Sequence, residues 1–234
     1  MASPPRLGSL DVDEQREAIK QCLESIQFID RCDTPLAIVG PVDVEDPPRA
    51  VVLEALERSG VVGELWDRLV AERTTSKRNR RQFDAYLRVL DKILDAAARY
   101  ERTVGLTVGG LPFQIPTPAE ALRCLAEFEG APLGAVTDMV ACENCRITSD
   151  KVGRAQLESL RTQSIAVLAH DGDLEQRGLP LGRGSVQLES WRLDPTAQTH
   201  DTLWIVHAAP DASDEILVES KETLEGLTES KAES

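Results

Sequence analysis

An α+β fold is what this sequence predicts, on three observations. Stretches of 3.6-residue apolar periodicity fill the first half, and short β-like runs separated by Gly-rich turns fill the last third. Aromatic residues make up only 4% of the chain, so the core rests on Leu, Val, Ile and Ala, which suits helical packing. At 234 residues, 41% hydrophobic and 28% charged, there is room for one large domain or two small ones. The expected divisions are a flexible leader over 1–9, a helical domain over 10–130, a smaller α/β part over 131–209 and an acidic tail over 210–234.

The first helix is read from Asp13 to Ile29, where Ile19, Cys22, Leu23, Ile26 and Ile29 recur at three and four. Leu36-Ala37-Ile38-Val39 follows as a short buried strand ended by Gly40-Pro41. Asp46-Pro47-Pro48 opens a second helix through an Asp cap and a first-turn Pro, and Gly60 stops it. Val61, Val62, Leu65, Trp66, Leu69 and Val70 form the stripe of a third. Thr74-Thr75-Ser76 caps a fourth, running to about Tyr100, with Phe83, Tyr86, Leu87, Leu90, Ile93, Leu94 and Ala97 on its apolar side. Thr103 to Val108 and Leu111 to Ile115 flank Gly109-Gly110, which predicts a hairpin over 103–115 because both turn positions of a two-residue loop need positive φ. Thr117-Pro118-Ala119-Glu120 is a capping box, and its helix ends at Gly130. Gly134 to Ser149 shows little periodicity. A short helix over Asp150 to Arg161 precedes strands at 165–168, 186–188 and 203–206, expected to make a small antiparallel sheet. In the acidic tail, Ile216, Leu217, Leu224 and Leu227 are too sparse for a firm helix, and disorder is expected.

Against a net charge of −14, the run Lys77-Arg78-Asn79-Arg80-Arg81 stands out. It opens the longest predicted helix, where the positive end of the helix dipole disfavours it. Lys77, Arg81, Arg88, Lys92 and Arg99 share the polar face. Three helices followed by a hairpin is a winged-helix-like element order, in which a capped helix enters the major groove and the wing touches the backbone. Arg78, Asn79, Arg80 and Gln82 are types that read base edges, while Lys77, Arg81 and Arg88 would neutralise phosphates. The expected function is therefore a DNA-binding regulatory protein, with a C-terminal sensing or dimerisation part. The wing carries no basic residue, and Asp84, Asp91 and Asp95 flank the basic face. The first alternative is accordingly a non-enzymatic interaction module whose basic face docks an acidic protein partner.

Two further clusters bear on chemistry. Cys142-Glu143-Asn144-Cys145 has the spacing of half a zinc site, with Cys124 and His170 as possible completions, or a homodimer supplying two pairs. His170-Asp171-Gly172-Asp173, His200-Asp201 and His207 could hold a metal or act as base and orienter, giving the second alternative, a metal-dependent enzyme. A non-enzymatic protein is preferred over it, because no spacing matches a metal or nucleophile motif. No apolar run is long enough to span a membrane, and Met1 to Arg6 lacks a secretory signal's apolar core, so a cytoplasmic location is expected. Only six of the 26 basic residues are lysines, a bias that a GC-rich genome or adaptation to high salt would produce.

Overall fold

Asp11 caps helix α1 (Val12–Arg31) by accepting hydrogen bonds from the backbone N–H groups of Asp13 and Glu14. In this computed structural model, residues 5–60, 64–148, 151–172, 177–191, 202–209 and 212–228 are described. The chain divides into two units, Met1–Gly134 and Ala135–Ser234.

In the first unit α1 leads to β1 (Leu36–Val39) and β2 (Val42–Asp43). Three helices follow: α2 (Arg49–Ser59), α3 (Glu64–Thr75) and α4 (Lys77–Arg99). The stripe expected on α4 is buried throughout, from Phe83 to Ala97. The helix starts at Ser76, whose hydroxyl accepts from the N–H of Asn79. β3 (Thr103–Leu106) then pairs with β1 in parallel, Leu36 opposite Thr103 and Val39 opposite Leu106. β4 (Gln114–Ile115) pairs antiparallel with β2, and α5 (Pro118–Glu127) closes the unit behind the expected Thr117/Glu120 capping box. Glu120 also accepts two hydrogen bonds from the buried Arg73, at 2.7 and 2.8 Å. Leu7, inside the stretch read as a leader, is already packed at 3% exposure.

β5 (Leu133–Asp138) carries the chain into the second unit, where α6 (Met139–Thr148), α7 (Lys151–Thr162) and β6 (Ser164–Ala169) follow. Two short strands, β7 (Asp171–Gly172) and β8 (Arg177–Leu179), pair antiparallel. A 3₁₀ turn at Leu188–Trp191, β9 (Leu203–Val206) and α8 (Asp214–Thr228) complete the order. β5, β6 and β9 form one parallel ladder.

These pairings correct the expected fold. The 103–115 hairpin does not exist, since β3 pairs with β1 and β4 with β2. Neither Gly109 nor Gly110 has the positive φ that a two-residue hairpin needs. Gly109 is there for close approach, because a Cβ on it would lie 2.3 Å from the Cβ of Gln114. Without the hairpin there is no wing, and the winged-helix order fails. The C-terminal sheet is parallel rather than antiparallel, its strands returning through helices or long connections as parallel pairing requires. The segment 186–188 is no strand; the 3₁₀ turn starts at its end. The tail forms α8, which buries Ser220, Leu224 and Leu227.

Candidate active site

Parallel strands deliver their C-terminal ends to one edge of a sheet, and in β/α folds that edge holds the chemistry. In the second unit each of the three strands ends on or beside an ionisable residue. Asp138 is the last residue of β5. His170 and His207 each stand one residue beyond the final β6–β9 pair, Ala169 opposite Val206. Register alone therefore sets the two imidazoles side by side, with ring centroids 4.9 Å apart and edge-on. The N–H of His207 donates to the carbonyl of Ala169, holding this step of the ladder closed.

Asp138 is 5% exposed and fully engaged. Its Oδ1 accepts the N–H of Ala141 at 2.8 Å, which starts α6, and lies 3.1 Å from Nε2 of His170. Its Oδ2 lies 2.9 Å from the Arg177 guanidinium. On the other side of the His170 ring, Nδ1 accepts the N–H of Gly178 at 3.0 Å. An accepting Nδ1 carries no proton, so Nε2 carries one and donates it to Asp138. His170 is thus a neutral Nε2–H tautomer, 1% exposed and locked from both sides.

The clamp on His170 is built by its neighbour. Asp171 is wholly buried, and its carboxylate accepts three backbone N–H groups: Gly172 at 2.8 Å, Val186 at 3.0 Å and Gly182 at 2.9 Å. Such charge-assisted bonds each contribute roughly 1.5–3 kcal/mol, enough to offset burial of a carboxylate. They gather the segment after β8 around the β6 end. Gly184 is obligatory in that cage, since a Cβ there would lie 2.4 Å from the Asp171 carboxylate. Gly178 has φ +80° and would press a Cβ to 3.0 Å from the N of Ala209, so it too resists substitution. Asp171 therefore positions Gly178 on His170, and next to it Arg177 on Asp138.

Electrostatics sort the cluster into spent and available groups. Burial pushes the Asp138 carboxyl up, but the His170 hydrogen bond, the Arg177 charge and the Ala141 N–H outweigh it and hold it below the usual carboxylate range. His207 stays solvent-accessible. Partial burial first holds its pKa below the ordinary imidazole value, with Arg177 adding in the same direction and Asp138 opposing; a charge on His170 would lower it further, but the neutral tautomer carries none. The Arg177 side chain is 37% exposed and can meet a ligand. Chemically this offers an accessible neutral base, an accessible cation, and a buried Asp–His pair that holds the cation in place.

The residues expected from the sequence fall elsewhere. Lys77, Arg78, Arg80, Arg81 and Arg88 are exposed on α4, in the first unit. Asn79 and Gln82, expected to read bases, are buried. Asn79 donates to the carbonyls of Asp46 and Arg73, and Gln82 accepts from the N–H of Glu45. Arg78 pairs with Glu45. The amides on the expected recognition face thus tie α4 to the chain before α2. Cys142 and Cys145 are both buried on α6. Burial chiefly pushes Cys142 well up and Cys145 to about 12, with Asp138 also raising both, so neither is a ready thiolate. Asp173, His200 and Asp201 lie outside the described residues. Sequence reasoning found His170, Asp171 and His207 but missed Asp138 and Arg177. The signal at Asp138 was faint: an acidic residue ending the run Leu133 to Thr137, with Met139-Val140-Ala141 continuing the apolar pattern straight into α6.

No protein-family model matches the chain, and no curated protein matches it. Solved structures do. A D-tagatose 3-epimerase-like protein is similar at 17% identity and TM-score 0.65, over 97% of this chain and 74% of its own. For the 3-keto-D-glucoside 4-epimerase of E. coli the values are 15%, 0.60, 97% and 76%. For a xylose isomerase-like TIM barrel protein of Mycobacterium smegmatis, in complex with magnesium, they are 14%, 0.57, 95% and 71%. At such identities the likeness is one of fold, and it replaces the DNA-binding expectation. The chain has a TIM-barrel-like β/α fold.

Proposed function

We propose that this protein is an enzyme acting on a sugar or related polyol, moving a proton at a carbon next to a carbonyl, as in isomerisation or epimerisation. One observation carries the reading: three parallel strands of the second unit end on or beside Asp138, His170 and His207, which join Arg177 in a single cluster of hydrogen bonds and edge-on ring contact. The fold likeness to a D-tagatose 3-epimerase-like protein, a 3-keto-D-glucoside 4-epimerase and a xylose isomerase-like protein supports the substrate class. His207 is the proton acceptor, being accessible and kept neutral. Arg177 faces the carbonyl oxygen, where negative charge develops as the C–H proton leaves. Asp138 and His170 are positioning residues that aim the guanidinium and fix the β6 and β9 ends.

A metal was part of the enzymatic alternative read from the sequence, and the M. smegmatis neighbour carries magnesium. The residues present do not fit one. A metal at Nε2 of His170 would displace the proton that its Nδ1 hydrogen bond requires, since Nδ1 accepts from Gly178 rather than donating. Asp138 is already neutralised by Arg177. Among the described residues no group of three or more His, Cys, Asp or Glu side chains is placed to hold a metal ion.

The test is solvent exchange. Incubated in D2O with a panel of ketoses, aldoses and keto-sugars, the wild-type protein should place deuterium beside the carbonyl of at least one, read by proton NMR, and His207→Asn should not. A panel unchanged by wild-type protein, with and without added magnesium, manganese or zinc, overturns the assignment.

Among the described residues no helix is long and apolar enough to cross a membrane.

A further inference from the structure

We infer that the guanidinium of Arg177 is the resident cation of this site, standing where a divalent ion would neutralise Asp138, so that the wild-type cluster excludes divalent metals while Arg177 is present. This concerns the same cluster as the proposed enzyme but depends only on its geometry, not on the reaction.

Three features meet here. First, Asp138 is buried and its two oxygens already serve three donors: Ala141 N–H, His170 Nε2–H and Arg177. A divalent ion binding Asp138 would have to displace the guanidinium or stand beside it, and two cations on one buried carboxylate repel strongly. Second, the lone pair that His170 would offer a metal is consumed at Nδ1 by Gly178 N–H, and its other nitrogen carries the donated proton. Third, neither partner is free to drift. Gly178 is held by its positive φ and by its carbonyl, which accepts the N–H of Ala209 at 3.2 Å. Arg177 precedes it in β8, which is paired to β7 at Asp171 and Gly172. With the Asp171 cage behind them, the two residues that block a metal are set by backbone. An arginine so placed is a fixed part of the chain, where a bound ion would depend on its free concentration. Its outward donors suit an oxygen that gains charge, such as the enolate oxygen of a deprotonated sugar.

Calorimetric titration of the full chain with manganese and with zinc tests this without reference to activity, alongside elemental analysis of the purified protein. Wild type should show no stoichiometric site. Arg177→Met removes the charge but keeps much of the stem; it frees only the Asp138 carboxylate, since His170 stays committed at both nitrogens, and should bind at least one ion roughly tenfold more tightly than wild type. Arg177→Met combined with Asp138→Asn should lose that gain. Long-range proton–nitrogen NMR of the wild type should show His170 protonated at Nε2. Stoichiometric metal in the wild type, abolished by Asp138→Asn, would overturn the inference. So would an Arg177→Met protein that is folded by circular dichroism yet gains no affinity, for then Arg177 does not stand in a cation's place. If the titrations succeed while no sugar exchanges deuterium, the resident cation stands and the sugar reaction falls.

Discussion

The two units carry parallel strands with opposite contents at their ends. In the first, β1 runs out into Gly40 and β3 into Thr107 and Val108. The Thr107 hydroxyl is turned back onto the carbonyl of Val39, and neither strand ends on an acid or an imidazole. In the second, β5 ends on Asp138, and His170 and His207 stand one residue beyond the ends of β6 and β9. Both units also bury an arginine–carboxylate pair, but differently. Arg73 and Glu120 are 10% and 19% exposed, and the pair ties α3 to the capping box of α5. Arg177 keeps 37% exposure while its Asp138 keeps 7%. One pair is closed on both sides, and the other is closed behind and open in front. A buried ion pair by itself therefore says nothing of function; the open side does.

That contrast is sharpest in a matched pair of truncations. Glu120→Ala and Asp138→Ala should each lower the unfolding free energy in urea by about 3 kcal/mol, the scale for stripping one partner from a buried pair. The Asp138 value should be the smaller where water reaches Arg177. Deuterium exchange should separate them. Asp138→Ala lets both Arg177 and His170 move and should slow exchange by about a hundredfold, the usual cost of misplacing a group by an ångström. Glu120→Ala should leave exchange unchanged at temperatures where it is folded. Equal loss of activity in both would erase the distinction between the units. The acid limb of stability should also differ. The Asp138 pKa is depressed on folding, so its contribution is complete above the ordinary carboxylate value of 3.8 and is lost as pH falls through the lower folded value. Asp138→Asn should flatten that part of the pH–stability curve, measured by urea titration between pH 2 and 5 (a range of about one to two units either side of that value).

This contrast also explains what could be seen in the sequence. Helix α4 was legible because its apolar stripe repeats at 3.6 and Ser76 caps it, both local signals; α5 announced itself through Thr117 and Glu120. Strands at 36–39, 165–168 and 203–206, and one read over 103–108, were legible as strands, but not their partners. A four-residue apolar run looks the same in either pairing, and which strand it meets depends on how an intervening helix folds back. Gly109-Gly110 misled because glycine serves both tight turns and close approach, and only coordinates separate the two. Lys77 to Arg81 misled because a surface charge run is conspicuous in sequence and inexpensive in structure. Asp138 and Arg177, 39 residues apart, meet only through register, and no spacing rule connects them. His170 and His207 drew notice as rare residues, but what they do follows from lying one step beyond the same strand pair.

The next effect lies on the open side alone. His207→Asn should abolish the base and lower exchange by about 10²- to 10⁴-fold. Because His207 is exposed, it should shift stability by no more than about 0.5 kcal/mol. In the wild type the acid limb of kcat/KM should fall below pH 6.5, the ordinary imidazole value, since burial and Arg177 depress it against the opposing Asp138. Arg177→Met removes one depressing charge, so the limb should move upward in pH while the maximum falls. A limb that stays put in Arg177→Met would mean that the titrating group is not His207.

The smallest effect is expected on the basic run that dominates the sequence. Arg81→Ala and Arg88→Ala each remove a charge from the exposed face of α4, in the first unit, beyond the buried stripe that packs its other face. Each deepens a net charge that already stands at −14, but at a solvated position where screening leaves little of the interaction. Stability should change by no more than about 0.5 kcal/mol, and deuterium exchange should match wild type. Arg177→Met deletes the same charge and should cost most of the activity, so position at a strand end, rather than charge, decides the outcome. A large loss of exchange in Arg81→Ala would place chemistry on the first unit and break the division between the two.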